Sequence, residues 1–219
     1  FLNLMNFFVT RGEDEYLLKP AGYAALLVLL LLIIFVITVS GKSTQKINTK
    51  QLVFSSMSLA LATVTSFIKF GSLPFGGSIT FFSMFFICFI GYLYGPKIGL
   101  MTGVAYGILQ LITGPYIYHP WQLLLDYPLA FGALGLSGFF YKRKHGLIKG
   151  CIAGMFGRYV FHVISGYIFF KDYAPANMNP MVYTLGYNAT YILPELIATV
   201  AILCIPLVTS ALKEVKRIA

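Results

Sequence analysis

RYVFHVISGYIFFKDYAPANMNPMVYTLGYNATY, residues 158–191, joins the end of one very apolar run to the start of another. Within it a histidine, an arginine, an asparagine and a row of tyrosines stand where apolar residues would carry no desolvation penalty. An unpaired polar group in hydrocarbon costs several kcal/mol, so these groups require partners or a ligand. Arg158, His162, Gly166 and Phe170 recur every four residues, which places them on one stripe of a helix. The stretch reads as one wall of a small-molecule site near one face of a membrane, with Asp126 as the candidate group opposite.

Composition supports the membrane reading. The 219 residues are 58% hydrophobic and only 11% charged, with a mean hydropathy of +0.80. Ordinary soluble domains carry about 25% charged residues. The apolar residues come in long runs, so the surplus is lipid-facing surface of a polytopic bundle and not an oversized core. The formal net charge of +9 does not point to nucleic acid. Its basic residues lie in short clusters between apolar runs, and no basic patch with interleaved aromatics sits on a foldable soluble unit. Cys88, Cys151 and Cys204 all fall inside apolar runs without metal-like spacing, so they read as packing residues, with neither a disulfide framework nor a metal site.

Taken in order, the chain starts with an acidic cluster at Glu13, Asp14 and Glu15, then Pro20 as a helix starter. The uncharged run over 21–40 is long enough to span a bilayer and too long for a signal-peptide core. It is expected to be an extra N-terminal transmembrane helix, followed by a basic cytoplasmic linker. Six further spans are expected at about 49–68, 79–94, 96–112, 121–141, 147–170 and 187–211. The expectation is thus an all-α integral membrane protein, with residues 1–47 an extension and 48–219 a six-helix domain.

With the N-terminus outside, eleven basic residues fall on inner loops and four on outer ones, and Arg158 lies within a span. That asymmetry sets the orientation and puts the C-terminus in the cytoplasm. The outer loops, about 69–78, 113–120 and 171–186, are rich in Gly, Pro, Tyr and Asn. Most of their aromatics fit an interfacial belt, but they are also placed to line a pocket, Tyr116 among them. Gly95, Gly99, Gly103 and Gly107 form one four-residue row, and Gly146, Gly150 and Gly154 another. Such rows let helix backbones approach closely in lipid. Ser56 and Ala60 form a similar small-residue pair, which fits either packing within the chain or a flat face for another membrane protein.

Asp126 lies about five residues, or roughly 7–8 Å, into its span. Ionisable groups at that depth face protein or water, so it is a ligand candidate, or alternatively a structural partner of Arg158 or His162. His162 rises toward the same outer level as Asp126 and Asn188. Arg158, deeper, reads as structural, neutralising Asp126 or Glu195. Glu195 is too deep for an outer pocket and is expected to pair within the bundle. No partnered nucleophile, metalloprotease motif or phosphate loop is present, so a membrane enzyme has no positive support. One carboxylate, one histidine and an amide among aromatic rings suit a flat, cationic, hydrogen-bonding molecule.

PFGGSITF (74–81), HPWQLLLDYPLAFGALGLSG (119–138), RYVFHVISGYIFF (158–170) and YTLGYNATYILPE (183–195) together resemble the thiamine-specific substrate-binding subunits of energy-coupling-factor transporters, the ThiT family. The resemblance runs from about Gln51 to the C-terminus. It implies six helices and a thiamine site near the outer face of a bacterial cell membrane. It also implies assembly with a transmembrane coupling protein and two cytoplasmic ATPases, with no catalytic centre or cofactor in this chain. Asp126 stands where the family has an acidic residue facing the aminopyrimidine, and Tyr127 is the tyrosine that follows it. His162 and Gly166 match pocket-lining residues, and Tyr183 and Asn188 match polar contacts to the pyrimidine. Ser56 and Ala60 match the small-residue contact with the coupling protein. Phe170 and Tyr106 replace tryptophans found in some members, and Gly77 or Ser78 occupies the first outer loop where a third occurs. The same fold serving hydroxymethylpyrimidine or riboflavin remains the alternative.

Overall fold

The computed structural model describes residues 7, 9–11, 16–25, 28 and 47–219. The expected extra helix over 21–40 lies outside the described residues, apart from 21–25 and 28. Near the N-terminus, β1 (Val9–Arg11) pairs antiparallel with β2 (Tyr16–Leu18), and a helical turn opens at Pro20. From there the described chain is built of helices α1 (Thr49–Ser66), α2 (Ser83–Tyr94), α3 (Pro96–Thr113), α4 (Pro120–Phe140), α5 (Gly146–Phe169), α6 (Pro180–Leu203) and α7 (Pro206–Ile218). A second hairpin, β3 (Lys69–Ser72) with β4 (Ser78–Thr80), sits between α1 and α2. The all-α membrane fold is as expected. Among the described residues α4 and α5 are each long and apolar enough to cross a bilayer, and the bent pair α6–α7 passes the same test together.

Local sequence explains where the helices start and stop. Asn48 and Gln51 form a reciprocal capping box on α1. The second span, expected over 79–94, begins only at Ser83, because residues 78–80 pair with β3 and Phe82 adopts a left-handed φ of 58°. That leaves the α2 N-terminus without a cap from its own chain segment, and Glu195 of α6 supplies one. Its carboxylate accepts from Met84 N at 3.0 Å and from Thr80 Oγ1 at 2.7 Å and Thr80 N at 3.3 Å. A buried carboxylate at a helix N-terminus meets both unsatisfied N–H groups and the positive end of the helix dipole. Glu195 therefore pairs within the bundle as expected, but with backbone and hydroxyl donors. Among the described residues it has no ion pair with Arg158.

Gly95 does not belong to the packing row assigned to it. Its φ of +89° makes the one-residue turn from α2 into Pro96, the first residue of α3. The remaining glycines act as read, and α4 is their common target. On one side a Cβ on Gly103 would strike Phe131 O, and one on Gly107 would strike Tyr127 O. On the other side, Cβ atoms on Gly150 and Gly154 would stand 2.9 Å from Ser137 O and 2.7 Å from Leu134 O. The α4 backbone is thus clamped between α3 and α5. It is irregular within the clamp: a π turn runs over Leu125–Leu129 around Pro128, and 3-10 geometry follows over Ala133–Phe140. Pro128 lacks an N–H and its ring crowds the carbonyl one turn back, which widens the helix there.

The last span also differs from expectation. The run over 187–211 is not one helix: α6 ends at Leu203 and α7 leaves at 86°. Pro206 cannot donate to the preceding turn, and the sequence after it becomes amphipathic. Leu212 and Val215 pack on the bundle, while Lys213, Glu214 and Arg217 stay exposed, the last two paired. Lys216 anchors α7 by donating to Tyr92 O at 3.4 Å and Tyr141 O at 2.7 Å, carbonyls at the ends of α2 and α4. Partial burial pushes its ammonium pKa below the ordinary lysine value. Cys204, read as a packing residue, is exposed at the bend, whereas Cys88 and Cys151 are buried.

The clamp makes the glycines unequal. Gly103→Ala should destabilise the detergent-solubilised protein by about 1–3 kcal/mol, because the obstructing atoms are backbone. Gly186, in α6, has nothing within 4 Å of its would-be Cβ. Gly186→Ala should leave the melting temperature unchanged or raise it, since alanine gains about 1 kcal/mol in a helix. Thermal melting followed by circular dichroism checks both.

Candidate ligand-binding site

The widened turn of α4 carries Asp126 and Tyr127, and α5 carries His162 one helix away. Asp126 Oδ1 lies 3.1 Å from His162 Nδ1, and the two side chains are 14% and 13% exposed. Arg158 Nε donates to His162 Nε2 at 3.1 Å. Arginine has no acceptor, so Nε2 must be the unprotonated nitrogen and the ring proton sits on Nδ1, donated to Asp126. His162 is therefore a neutral bridge between a guanidinium and a carboxylate. The Arg158 guanidinium also lies 4.2 Å from the Phe131 ring centroid. The expected neutralisation is not seen: Arg158 forms no ion pair with Asp126 or Glu195 among the described residues.

Gln122, absent from the sequence reading, completes the carboxylate's setting. It is buried, donates to Asp126 Oδ2 at 2.7 Å and to Tyr116 O at 3.1 Å, and accepts from Tyr118 N at 3.1 Å. Its position four residues before Asp126 on the same helix was the available signal. A carboxylate offers about four acceptor sites. The His162 and Gln122 bonds occupy two of them, which leaves capacity for a ligand donor.

Two adjoining chambers meet at Phe75, Asp126, His162 and Tyr191. The first, about 400 Å³ of empty space, is walled by α5 and α6 and includes Gly166, Phe170, Tyr183 and Asn188. A Cβ on Gly166 would stand 2.5 Å from Thr184 Cγ2, so the glycine sets how closely α5 and α6 approach. The second, about 830 Å³, lies toward α3 and the loop after it, and is lined by Tyr116, Tyr127, Gln110 and Arg158 among others. Tyr127 OH also receives Tyr116 N at 2.7 Å, which ties the loop after α3 to α4.

Eight of the nine residues read as ligand contacts therefore reach one chamber or the other. Tyr106 does not. It is buried behind Phe131, edge-on to that ring at 5.0 Å, with its hydroxyl on Ala62 O at 3.2 Å. Its position on α3 faces α1, and Phe131 stands between it and the second chamber. Asn188 lines the first chamber but spends its donors on the protein. Its Nδ2 bonds Thr184 O at 2.9 Å and His162 O at 3.3 Å, and its Oδ1 accepts from Tyr191 OH at 2.6 Å.

The ring at the tip of the β3–β4 hairpin is Phe75, not a group at Gly77 or Ser78. A Cβ on Gly77 would stand 2.8 Å from Tyr187 OH and 3.0 Å from Tyr191, so that position has no room for a side chain. Phe75 sits at the hairpin tip with φ 62°, followed by Gly76 at φ 87°. The tip is held by Tyr187, whose hydroxyl donates to Pro74 O and receives Gly77 N at 3.3 Å. Phe75 packs 4.4 Å from Tyr173 and 6.0 Å from Phe170, which in turn lies 5.1 Å from Tyr118. One end of the site is thus an aromatic cup closed by a hairpin tip. The turn sequence Pro74-Phe75-Gly76-Gly77, an aromatic among turn formers, was the legible signal.

A family model for the thiamine transporter protein family (Thia_YuaJ) matches residues 52–214. The thiamine transporter ThiT of Bacillus subtilis strain 168 is 39% identical over 155 residues, which are 64% of this chain and 80% of that protein. ThiT of Lacticaseibacillus paracasei is 34% identical over 118 residues, 46% of this chain and 59% of that protein. A solved structure of ThiT from Listeria monocytogenes superposes with a TM-score of 0.63 at 26% identity, covering 74% of this chain and 94% of that one. The helical architecture and the family match over most of its length agree: this chain belongs to the thiamine transporter protein family, a family of membrane transport proteins and not of enzymes.

Proposed function

We propose that the chain is the substrate-binding subunit of an energy-coupling-factor transporter, which takes thiamine from the outer face and passes it inward with a separate coupling module. The observation that carries this is Asp126. It is a carboxylate held between His162 and Gln122, with acceptor capacity left over, at the junction of two chambers capped by aromatic rings. Thiamine has the complementary chemistry: an aminopyrimidine with N–H donors, joined to a permanently cationic thiazolium. In this reading the amino group bonds Asp126 in the first chamber, and Phe170 and Phe75 stack on the rings. Tyr183 and Gly166 bound the same chamber, and Asn188 holds α5 and α6 at the right spacing. The thiazolium extends toward Tyr116 and Tyr127, whose ring faces favour a cation.

The module is proposed to contain a transmembrane coupling protein and two cytoplasmic ATPases. Ser56 and Ala60 are both exposed on α1, within a stripe that includes Val53, Met57 and Val64. That stripe, with two small residues at its centre, suits close packing against another membrane helix. Orientation with the C-terminus inside follows from the basic loops and puts the basic α7 at the cytoplasmic surface.

Calorimetric titration tests the ligand. Wild-type protein should bind thiamine, and Asp126→Asn should weaken it about tenfold to a hundredfold, the worth of a hydrogen bond to a charged acceptor. Unchanged thiamine affinity in the variant, or tighter binding of riboflavin than of thiamine, would reject the reading. For the coupling face, Ala60→Trp should leave thiamine affinity intact while abolishing co-purification with the coupling protein and uptake in cells. Retained co-purification would move that interface elsewhere.

A further inference from the structure

Ser165 of α5, next to Gly166, and Thr184 of α6 both line the first chamber. Ser165 is 1% exposed and Thr184 2%, and neither hydroxyl has a hydrogen-bond partner among the described residues. Three buried hydroxyls outside the chamber, Ser55, Ser137 and Thr199, share that state, whereas other helical hydroxyls return to the backbone. Thr63 bonds Leu59 O at 2.8 Å, Thr102 bonds Ile98 O at 2.8 Å and Thr113 bonds Leu109 O at 3.0 Å, each returning to the carbonyl one turn back. Thr184 instead packs its methyl against Gly166, which has no side chain to displace it.

The other side-chain donors of the chamber, Tyr183 aside, are already committed. Asn188 Nδ2 is committed to Thr184 O and His162 O, and Tyr191 OH to Asn188. The His162 Nδ1 proton is committed to Asp126, and Tyr187 OH to Pro74 O. Asp126 itself is acceptor only when ionised. A pyrimidine carries two ring nitrogens that accept hydrogen bonds, and an apolar wall would leave them unmet on entry. Apart from Tyr183, which is half-buried, Ser165 and Thr184 hold the side-chain donors of this chamber that have no partner among the described residues.

We infer that Ser165 and Thr184 are ligand-contact residues whose hydroxyls donate to the ring nitrogens of the bound N-heterocycle, making the chamber selective for a diazine over its carbocyclic or pyridine counterparts. The inference rests on the reading that this chamber receives the aminopyrimidine, and it adds the groups that read the ring itself. Asp126 recognises the exocyclic amine, and the hydroxyl pair recognises the ring.

The test combines two variants with two kinds of ligand. Ser165→Ala and Thr184→Val are titrated with thiamine and with analogues in which one pyrimidine nitrogen is replaced by CH. Each variant should weaken thiamine about tenfold, and the loss should shrink to about twofold for the analogue lacking the contacted nitrogen. The ligand-free melting temperature should hold or rise, because an unpartnered buried hydroxyl has been removed. Thr184→Ser, which keeps the hydroxyl, should retain thiamine affinity and guards against a packing effect of the valine. Variants that bind thiamine as wild type does, or that lose thiamine and its CH analogues equally, overturn the inference while leaving the thiamine reading standing. Wild-type protein that binds no thiamine overturns both.

Discussion

The site depends on how closely three helix backbones approach. Glycines of α3 and of α5 bring those helices onto opposite sides of α4, at distances that any Cβ would prevent. In lipid, where apolar surface gives no drive for one helix to prefer another, such contact is what fixes the arrangement. Because α4 is gripped along both sides, the wide turn that Pro128 forces cannot relax by moving the helix. It shows instead as a local re-aiming of Asp126 toward α5 and of Tyr127 toward the loop after α3. A π turn at a functional position is a recurring device, and here its cause is a proline inside a clamp.

The charged groups follow from the same placement. Each ionisable side chain at membrane depth that the structure describes is given specific company, and the pairings are not the simplest ones. Arg158 is joined to Asp126 only through neutral His162, so the carboxylate is steadied without being neutralised by a direct ion pair. An ion pair with Arg158 would use up acceptor sites that a cationic ligand needs. Glu195 is kept separate, fastening the base of the β3–β4 hairpin and the start of α2 to α6. The hairpin that closes the aromatic cup is therefore tied at its root by Glu195 and at its tip by Tyr187.

Much of this was legible in the sequence. The helical segments from residue 49 onward, the two glycine rows apart from Gly95, and the stripe through Arg158, His162, Gly166 and Phe170 follow from spacing, and Asp126 stands out as a charge at membrane depth. What was missed depends on contacts between distant segments. The β3–β4 hairpin replaced the start of α2 because residues 69–72 pair with 78–80, a choice hydropathy does not register. Likeness to a tryptophan position points Tyr106 to the site, but its face of α3 turns to α1. The break after Leu203 was written in Pro206, yet the apolar run continues across it and masks the turn. Gln122 and the paired state of Asn188 emerge only once the side chains meet.

The central claim is that the Asp126–His162 junction is where the vitamin's pyrimidine binds. A crystal structure of the thiamine complex tests it most directly. The exocyclic amine should lie within hydrogen-bonding distance of the Asp126 carboxylate, with Phe170 and Phe75 against the rings. Thiamine bound elsewhere, or bound in these chambers with Asp126 still contacting only His162 and Gln122, would contradict it.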